Sequence, residues 1–273
     1  MQKAHSLALV AAGRVSRSLL ARLPGLAEHL GPVKGPSYRL ASRVSNILRA
    51  GHPVRQYRDL KQPGMVLIHV PDQQLRRTVE ELALVPLSWK TTSLVLCDTS
   101  LDSGELALLA ERGAAVASLS PIPGQPEWRL LVEGDRLAVT GLRKIFGPFG
   151  LRLVEVDRGL KPLFLAGLSF AGEFCTPWLA AADRCLQGSG LPRHQASRIL
   201  EGAFEKALRG YLKAGRNSLA GGRAPRDEAG LQRQYLALRR HDAELAQLFA
   251  EDDAAAARMR NGKARFVARA AAS

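Results

Sequence analysis

Residues 6–16 read Ser-Leu-Ala-Leu-Val-Ala-Ala-Gly-Arg-Val-Ser. A short apolar run enters a turn and then a helical pattern. Ala11, Gly13 and Ser16 fall on the G-x-G-x-x-G spacing, and only the central glycine is kept. That glycine lets the backbone approach a pyrophosphate, and N–H groups at a helix N-terminus attract anions whatever the side chains are. The chemistry it points to is dinucleotide binding, with Ala11, Ala12, Gly13, Arg14 and Val15 as the backbone facing the phosphates.

An NAD-type site places Asp or Glu about twenty residues further on, for the ribose 2′-hydroxyl. No acid occurs between Gly31 and Arg49. Ser37, Arg39, Ser42 and Arg43 stand there instead, and guanidiniums with hydroxyls suit a 2′-phosphate. The expected cofactor is therefore NADP, with Ser37, Arg39 and Arg43 as its ligands. A solvated helix face is the other reading of Arg39 and Arg43.

His69-Val70-Pro71-Asp72 ends a strand, at the edge where open α/β sheets hold ligands. Val70 and Pro71 are expected to line the cofactor cleft, Asp72 to cap the next helix, and His69 to pack within its strand. Asp98, Thr99, Ser100, Asp102 and Glu105 end another strand. They read as a turn and cap in preference to an acid/base pair. Glu173 follows Phe170 and precedes Trp178, a setting that would raise its pKa if buried. Arg184 and Lys161 are its alternative ion-pair partners.

The elements that position these residues are legible from periodicity. Apolar strand signals fall at 7–11, 33–37, 65–71, 93–97, 115–119 and 151–156. Helical patterns separate them: Val15, Leu19 and Leu23; Leu40, Val44, Ile47 and Leu48; Leu75, Val79 and Leu82; Leu106, Leu109 and Ala110. Strands that are apolar throughout and alternate with helices predict a parallel sheet covered on both faces. From Lys161 onward no strand signal appears. A long apolar helical stripe runs from Leu163 to Cys185 with a kink expected at Pro177. A helix follows from Pro192 to Gly215, then a loop over 215–226 and two helices at about 227–240 and 242–257.

The fold class expected is thus α/β, a doubly wound, mostly parallel Rossmann-like sheet followed by an all-α C-terminal domain. The boundaries read as 1–157 for dinucleotide binding, 158–257 for a helical substrate and dimerisation domain, and 258–273 for a basic tail.

The chain has 273 residues, net charge +14 and three cysteines without C-x-x-C spacing. Residues 1–60 hold ten Lys/Arg against two acids, which favours anionic partners. The aromatics of that stretch are only Tyr38 and Tyr57, which argues against a nucleic-acid module. No metal cluster, nucleophile elbow or phosphate-gripping Gly-Lys-Ser/Thr is present in the sequence. The most apolar run, 163–172, is shorter than a bilayer span, so no membrane partner is expected, and unpaired thiols suit the cytoplasm.

Four segments, taken in order, carry a family resemblance. They are the turn at Gly13; Val66-Leu67-Ile68-His69-Val70-Pro71-Asp72; Gly113-Ala114-Ala115-Val116-Ala117-Ser118-Leu119-Ser120-Pro121; and Leu219-Ala220-Gly221 leading into Asp227. On these the chain resembles the Rossmann-like proteins of unknown function whose helical C-terminal domain is similar to that of pyrroline-5-carboxylate reductase. The resemblance spans roughly residues 6 to 250 and implies an NADP-dependent oxidoreductase-like activity. It implies Ser120, Glu173 and Asp227 as catalytic or substrate-facing positions. The departures remove imidazoles and an amide. Cys97, Thr99 and Ser100 stand where the family has His before Ser-Gly. Ser120-Pro121 replaces His-Pro, Phe164-Leu165 replaces Tyr-His, Glu173 replaces Asn, and Leu219-Ala220-Gly221-Gly222 replaces Leu-Thr-Gly-Pro.

Two function classes follow. One is an NADP-type oxidoreductase moving hydride to or from a small carbonyl or imine substrate. The other is a catalytically silent binding or scaffold protein that keeps the fold. In both, the long apolar stripe predicts a homodimer through the C-terminal helices.

Overall fold

Along β1 (Leu7–Ala11) every side chain is buried, and successive residues enter opposite cores. Leu7, Leu9 and Ala11 join one apolar cluster with Leu67, Val95 and Phe146, while Ala8 and Val10 join another with Ile68, Leu82 and Leu96. The period-2 geometry of a strand covered on both faces produces this division. Each leucine so buried contributes about 1.5–3 kcal/mol.

The structure is a computed structural model that describes residues 7–215 and 228–259. Eight strands form one sheet in the order β3-β2-β1-β4-β5-β6-β7-β8. Beyond β1 these are β2 (Leu30–Lys34), β3 (His52–Val54), β4 (Met65–His69), β5 (Ser93–Cys97), β6 (Ala115–Pro121), β7 (Arg129–Gly134) and β8 (Arg152–Glu155). All pairs are parallel except β6 with β7. The helices among them are α1 (Leu26–His29), α2 (Tyr38–Leu48), α3 (Asp72–Ala83), α4 (Ala107–Ala110), α5 (Arg136–Phe146) and α6 (Lys161–Ala171). The doubly wound α/β expectation is met.

Four local expectations are corrected. The pattern of Val15, Leu19 and Leu23 does not build an α-helix. Two 3-10 turns, Val15–Arg17 and Leu19–Ala21, replace it. The Ser18 hydroxyl and N–H both donate to the Val15 carbonyl, and the Leu19 N–H donates to the Asp98 carboxylate at 3.2 Å, so two helical hydrogen-bonding groups are diverted. Strand β2 starts and ends three residues earlier than predicted, because Leu30 belongs to the core and Pro36 cannot extend the ladder. Between Leu119 and Leu151 the structure adds β7 and α5. Pro177 lies in the first turn of α7 (Thr176–Gly188), where its missing N–H costs nothing, and the break falls upstream at Gly172 and the 3-10 turn Glu173–Cys175.

The chain divides into two compact units, Met1–Ser169 and Phe170–Ser273. The second contains α7, α8 (Arg193–Ala214), α9 (Glu228–His241) and α10 (Ala243–Met259). The end of α7 packs on the end of α9 so closely that a Cβ on Gly188 would lie 2.4 Å from His241 Nε2. Arg184 pairs with Asp242, whose carboxylate also accepts the Glu244 and Leu245 N–H groups that open α10. By length and composition Lys161–Gly188 is apolar enough to cross a membrane, with hydropathy 1.3 in its best window. The apolar run expected at 163–172 forms its first part.

Candidate functional site

The carboxyl ends of β1, β2 and β4 meet at the Gly13 turn. The Ala12 N–H donates to the His69 carbonyl at 2.8 Å, which fastens the end of β1 to that of β4. Gly13 follows with φ of +83°, a left-handed conformation that disfavours a side chain. Pro71 faces it across ordinary contact distance. The N–H groups of Gly13 and Arg14 make no hydrogen bond among the described residues, so they remain available to an anion. There is no α-helix N-terminus behind them, since only the 3-10 turns follow.

Beside this turn lies a cavity of about 420 Å³. Ala11, Ala12 and Val70 line it, as the sequence predicts. Lys34, Gly35, Tyr57, Arg77 and Glu81 are also among its lining, and the sequence alone marks none of them as ligands. Lys34 is the last residue of β2 and is 9% exposed. Its ammonium donates to the Gly35 carbonyl and lies 4.6 Å from the Tyr57 ring centre, a cation–π arrangement. Burial pushes the Lys34 pKa down, and the nearby Glu81 carboxylate opposes that. Glu81 is held by Arg77 one turn earlier on α3 at 2.8 Å, and this hydrogen bond keeps its pKa low. Burial, then Glu81, pushes the Tyr57 phenol up. The signal for Lys34 was present in the sequence, but placing β2 three residues late hid its role as the strand's terminal residue.

The other predicted cofactor residues do not line this cavity: Gly13, Arg14 and Pro71 stand at the turn beside it, and the rest lie further off. Val15 is buried in the core, and Arg14 precedes the first 3-10 turn. Ser37 caps α2 by accepting the Leu40 N–H at 3.2 Å. Arg39 and Arg43 are exposed on α2 and do not line the cavity. Asp72 does not cap α3 with its side chain. It accepts the Thr99 hydroxyl at 2.9 Å, and Pro71 takes the cap position. His69 packs in its strand, with Nδ1 3.4 Å from the Cys97 carbonyl.

A second cluster closes the ends of β5 and β6. Lys161, at the start of α6, is fully buried. Its ammonium donates to the Thr99 and Leu101 carbonyls and the Ser120 hydroxyl, each at 2.8 Å, and to the Ser118 hydroxyl at 3.1 Å. Ser120 in turn donates to the Thr99 carbonyl at 2.8 Å. Glu133, also buried, accepts from the Ser103 hydroxyl at 3.0 Å, the Ser118 hydroxyl at 2.8 Å and the Gly159 N–H at 3.2 Å. Burial pulls the Lys161 pKa down to about 8, against the pull of Glu133. The Cys97 thiol beside it is pushed up to about 12 by burial and then by Asp98.

Of the catalytic candidates, Ser120 enters this cluster. Glu173 is exposed in the second unit. Neither of its suggested partners is engaged with it: Lys161 is bound as above, and Arg184 holds Asp242 and Glu244. Asp227, with the loop before it, lies outside the described residues. Asp102 caps the next 3-10 turn through the Gly104 N–H at 2.8 Å, as the turn-and-cap reading predicts.

These features define a Rossmann-like α/β protein with an altered glycine turn. Residues 129–252 match the model of a domain of unknown function, DUF2520. No curated protein matches. Among solved structures, the chain is similar to a candidate NADP oxidoreductase from Bacteroides fragilis, with 11% identity, TM-score 0.67, and 94% of this chain and 98% of that one covered. It is similar to an imine reductase from Myxococcus stipitatus in complex with NADP+, at 16% identity and TM-score 0.59, with 94% and 92% covered. A pyrroline-5-carboxylate reductase from Coxiella burnetii is 15% identical with TM-score 0.51, and 96% and 100% are covered. The resemblance to Rossmann-like proteins of unknown function with a reductase-like helical region is thereby met.

Proposed function

We propose that the chain binds an NADP-type dinucleotide at the ends of β1, β2 and β4, and passes hydride between it and a small carbonyl or imine compound. One observation carries the reading. Lys34, a cation, ends β2 on the cavity wall, where an NAD-selecting protein places a carboxylate. The bound dinucleotide would supply the hydride donor or acceptor. The chain's own part is to hold it. The N–H groups of Gly13 and Arg14 would take the diphosphate, and Lys34 the 2′-phosphate. Arg39 and Arg43 would act as outlying cations. Ser120, fixed by Lys161, offers a hydroxyl at the end of β6. The imine reductases of known structure share this fold and support the choice of reaction class.

In this reading residues 1–157 hold the coenzyme and 158–257 pair two copies of the chain, with a basic tail at 258–273. Support for pairing comes from α8, where Leu208, Tyr211 and Leu212 are exposed, and from Phe170 and Phe174 at the end of α6 and in the turn after it. Clustered exposed apolar side chains mark association surfaces.

A catalytically silent binding protein is the second reading. The missing helix behind Gly13 and the exposed Glu173 favour it. Following NADPH oxidation with a panel of cyclic imines and short ketones separates the two. Coenzyme-dependent turnover supports the first reading. NADPH binding without turnover of any panel member supports the second.

A further inference from the structure

Lys161 reaches further than its own cluster. Its ammonium holds the carbonyls of Thr99 and Leu101, in the segment that follows β5. That segment holds two others. The Asp98 carboxylate, on a residue with φ of +63°, accepts the Leu19 N–H of the turn after β1. The Thr99 hydroxyl donates to Asp72 in the turn after β4. These are the turns from which Gly13 and Pro71 face each other. A non-glycine residue in the left-handed region persists only where its surroundings fix it. Asp98 is fixed by its own N–H on the Leu119 carbonyl at 2.9 Å, and Lys161 fixes the Thr99 and Leu101 carbonyls that follow it.

We propose that Lys161 is a positioning cation for the dinucleotide site, and that its charge is linked to coenzyme binding. The inference rests on the dinucleotide-binding reading above. An ammonium has three protons for four oxygen acceptors within 3.1 Å. A neutral amine has two and no charge, so loss of the proton breaks at least one more tie in the cluster and weakens those to the Thr99 and Leu101 carbonyls. The groups that face it are Glu133 on β7, Cys97 on β5, Asp102 beyond β5 and Asp72 at the start of α3. Burial makes the charged form costly in the empty site, and an anionic coenzyme at the neighbouring turns favours it. Binding near pH 8 therefore draws a proton onto Lys161, because that is where its titration is centred.

The test is calorimetric titration of the full chain with NADPH at pH 8 in buffers of different ionisation enthalpy, which reads proton uptake directly. A Lys34→Met variant accompanies it, because Lys34 also has a lowered pKa. The expected result is uptake of a fraction of a proton by the wild type, retained in Lys34→Met and absent in Lys161→Met. The Lys161→Met variant binds about tenfold more weakly at pH 7, and the gap narrows by pH 9. Should Lys161→Met fail to fold, Lys161→Arg, whose guanidinium stays charged at pH 8, takes its place and should show no uptake. NADPH binding without uptake by the wild type, or a Lys161→Met affinity equal to wild type at every pH, overturns the inference and leaves the dinucleotide reading standing. No NADPH binding by the folded wild type overturns both.

Discussion

The Lys34 ammonium stands 4.6 Å from the centre of the Tyr57 ring, so the end of β2 and the segment after β3 close one wall of the cavity together. A half-buried aromatic face lowers the cost of keeping that cation out of water. Replacing Lys34 with Ala should weaken NADPH binding about 10- to 100-fold, the worth of one charge-assisted hydrogen bond at about 1.5–3 kcal/mol. NADH binding should change little. Arg39→Ala, on the exposed face of α2, should cost NADPH less than about threefold, as solvent-exposed charges do. Equal losses from both variants would return the role to Arg39.

Gly13 is held at φ of +83°, and a Cβ there would meet Pro71 only at 3.6 Å. The cost of Gly13→Ala is therefore conformational and not steric, about 1–2 kcal/mol. Differential scanning fluorimetry should show a melting midpoint lower by about 2–6 °C. An unchanged midpoint would mean that the turn relaxes to negative φ.

The Lys161 pKa is lowered from 10.5 in the exposed side chain to about 8 in the fold. Between those values the unfolded chain holds a proton that the folded chain has released. Stability from this group is therefore lowest below about pH 8, and it rises with pH up to about 10.5. Urea midpoints at pH 7.5, 8.5 and 9.5 should rise more steeply in the wild type than in Lys161→Met. Parallel slopes would place the Lys161 titration outside that window.

Cys97 is buried with its pKa raised to about 12, whereas Cys175 and Cys185 are partly accessible. Burial pushes the Cys185 thiol up as well, so native alkylation with iodoacetamide, read by intact mass, should add one label first, a second more slowly and a third only on unfolding. Rapid triple labelling would show that the end of β5 opens freely.

Leu212 is 75% exposed on α8, with Tyr211 and Leu208 beside it. Light scattering at micromolar protein should report a dimer, and Leu208→Glu with Leu212→Glu should shift it to monomer. A wild-type monomer at that concentration contradicts the pairing.

The sheet was legible because its strands are apolar throughout: β1 and β5 fall at the predicted residues, and the alternation with helices gave the class. The short edge strand β3 contains Pro53 and carries little apolar signal. Strand β7 pairs antiparallel with β6 and carries Glu133 inside its short apolar run, which interrupts the signal of a buried strand. The helix predicted after β1 failed because Asp98, 79 positions away from Leu19, captures its backbone. No local pattern contains that contact. The same holds at the site. The turn at Gly13 and the approach of Pro71 to it follow strands whose ends were readable from the apolar pattern. Lys34, Tyr57 and Glu81 meet only when β2, the turn after β3 and α3 are assembled, and Lys161 shows its role only when four oxygens converge on it.

The central claim is that the cavity at the end of β2 selects a 2′-phosphorylated dinucleotide. Calorimetric titration of the wild-type chain with NADPH and with NADH at pH 7 tests it most directly. Micromolar binding of NADPH with at least about tenfold weaker NADH is the predicted result, since one phosphate–lysine pair is worth about that much. Equal affinity for the two would contradict the role of Lys34, and binding of neither would contradict the dinucleotide site itself.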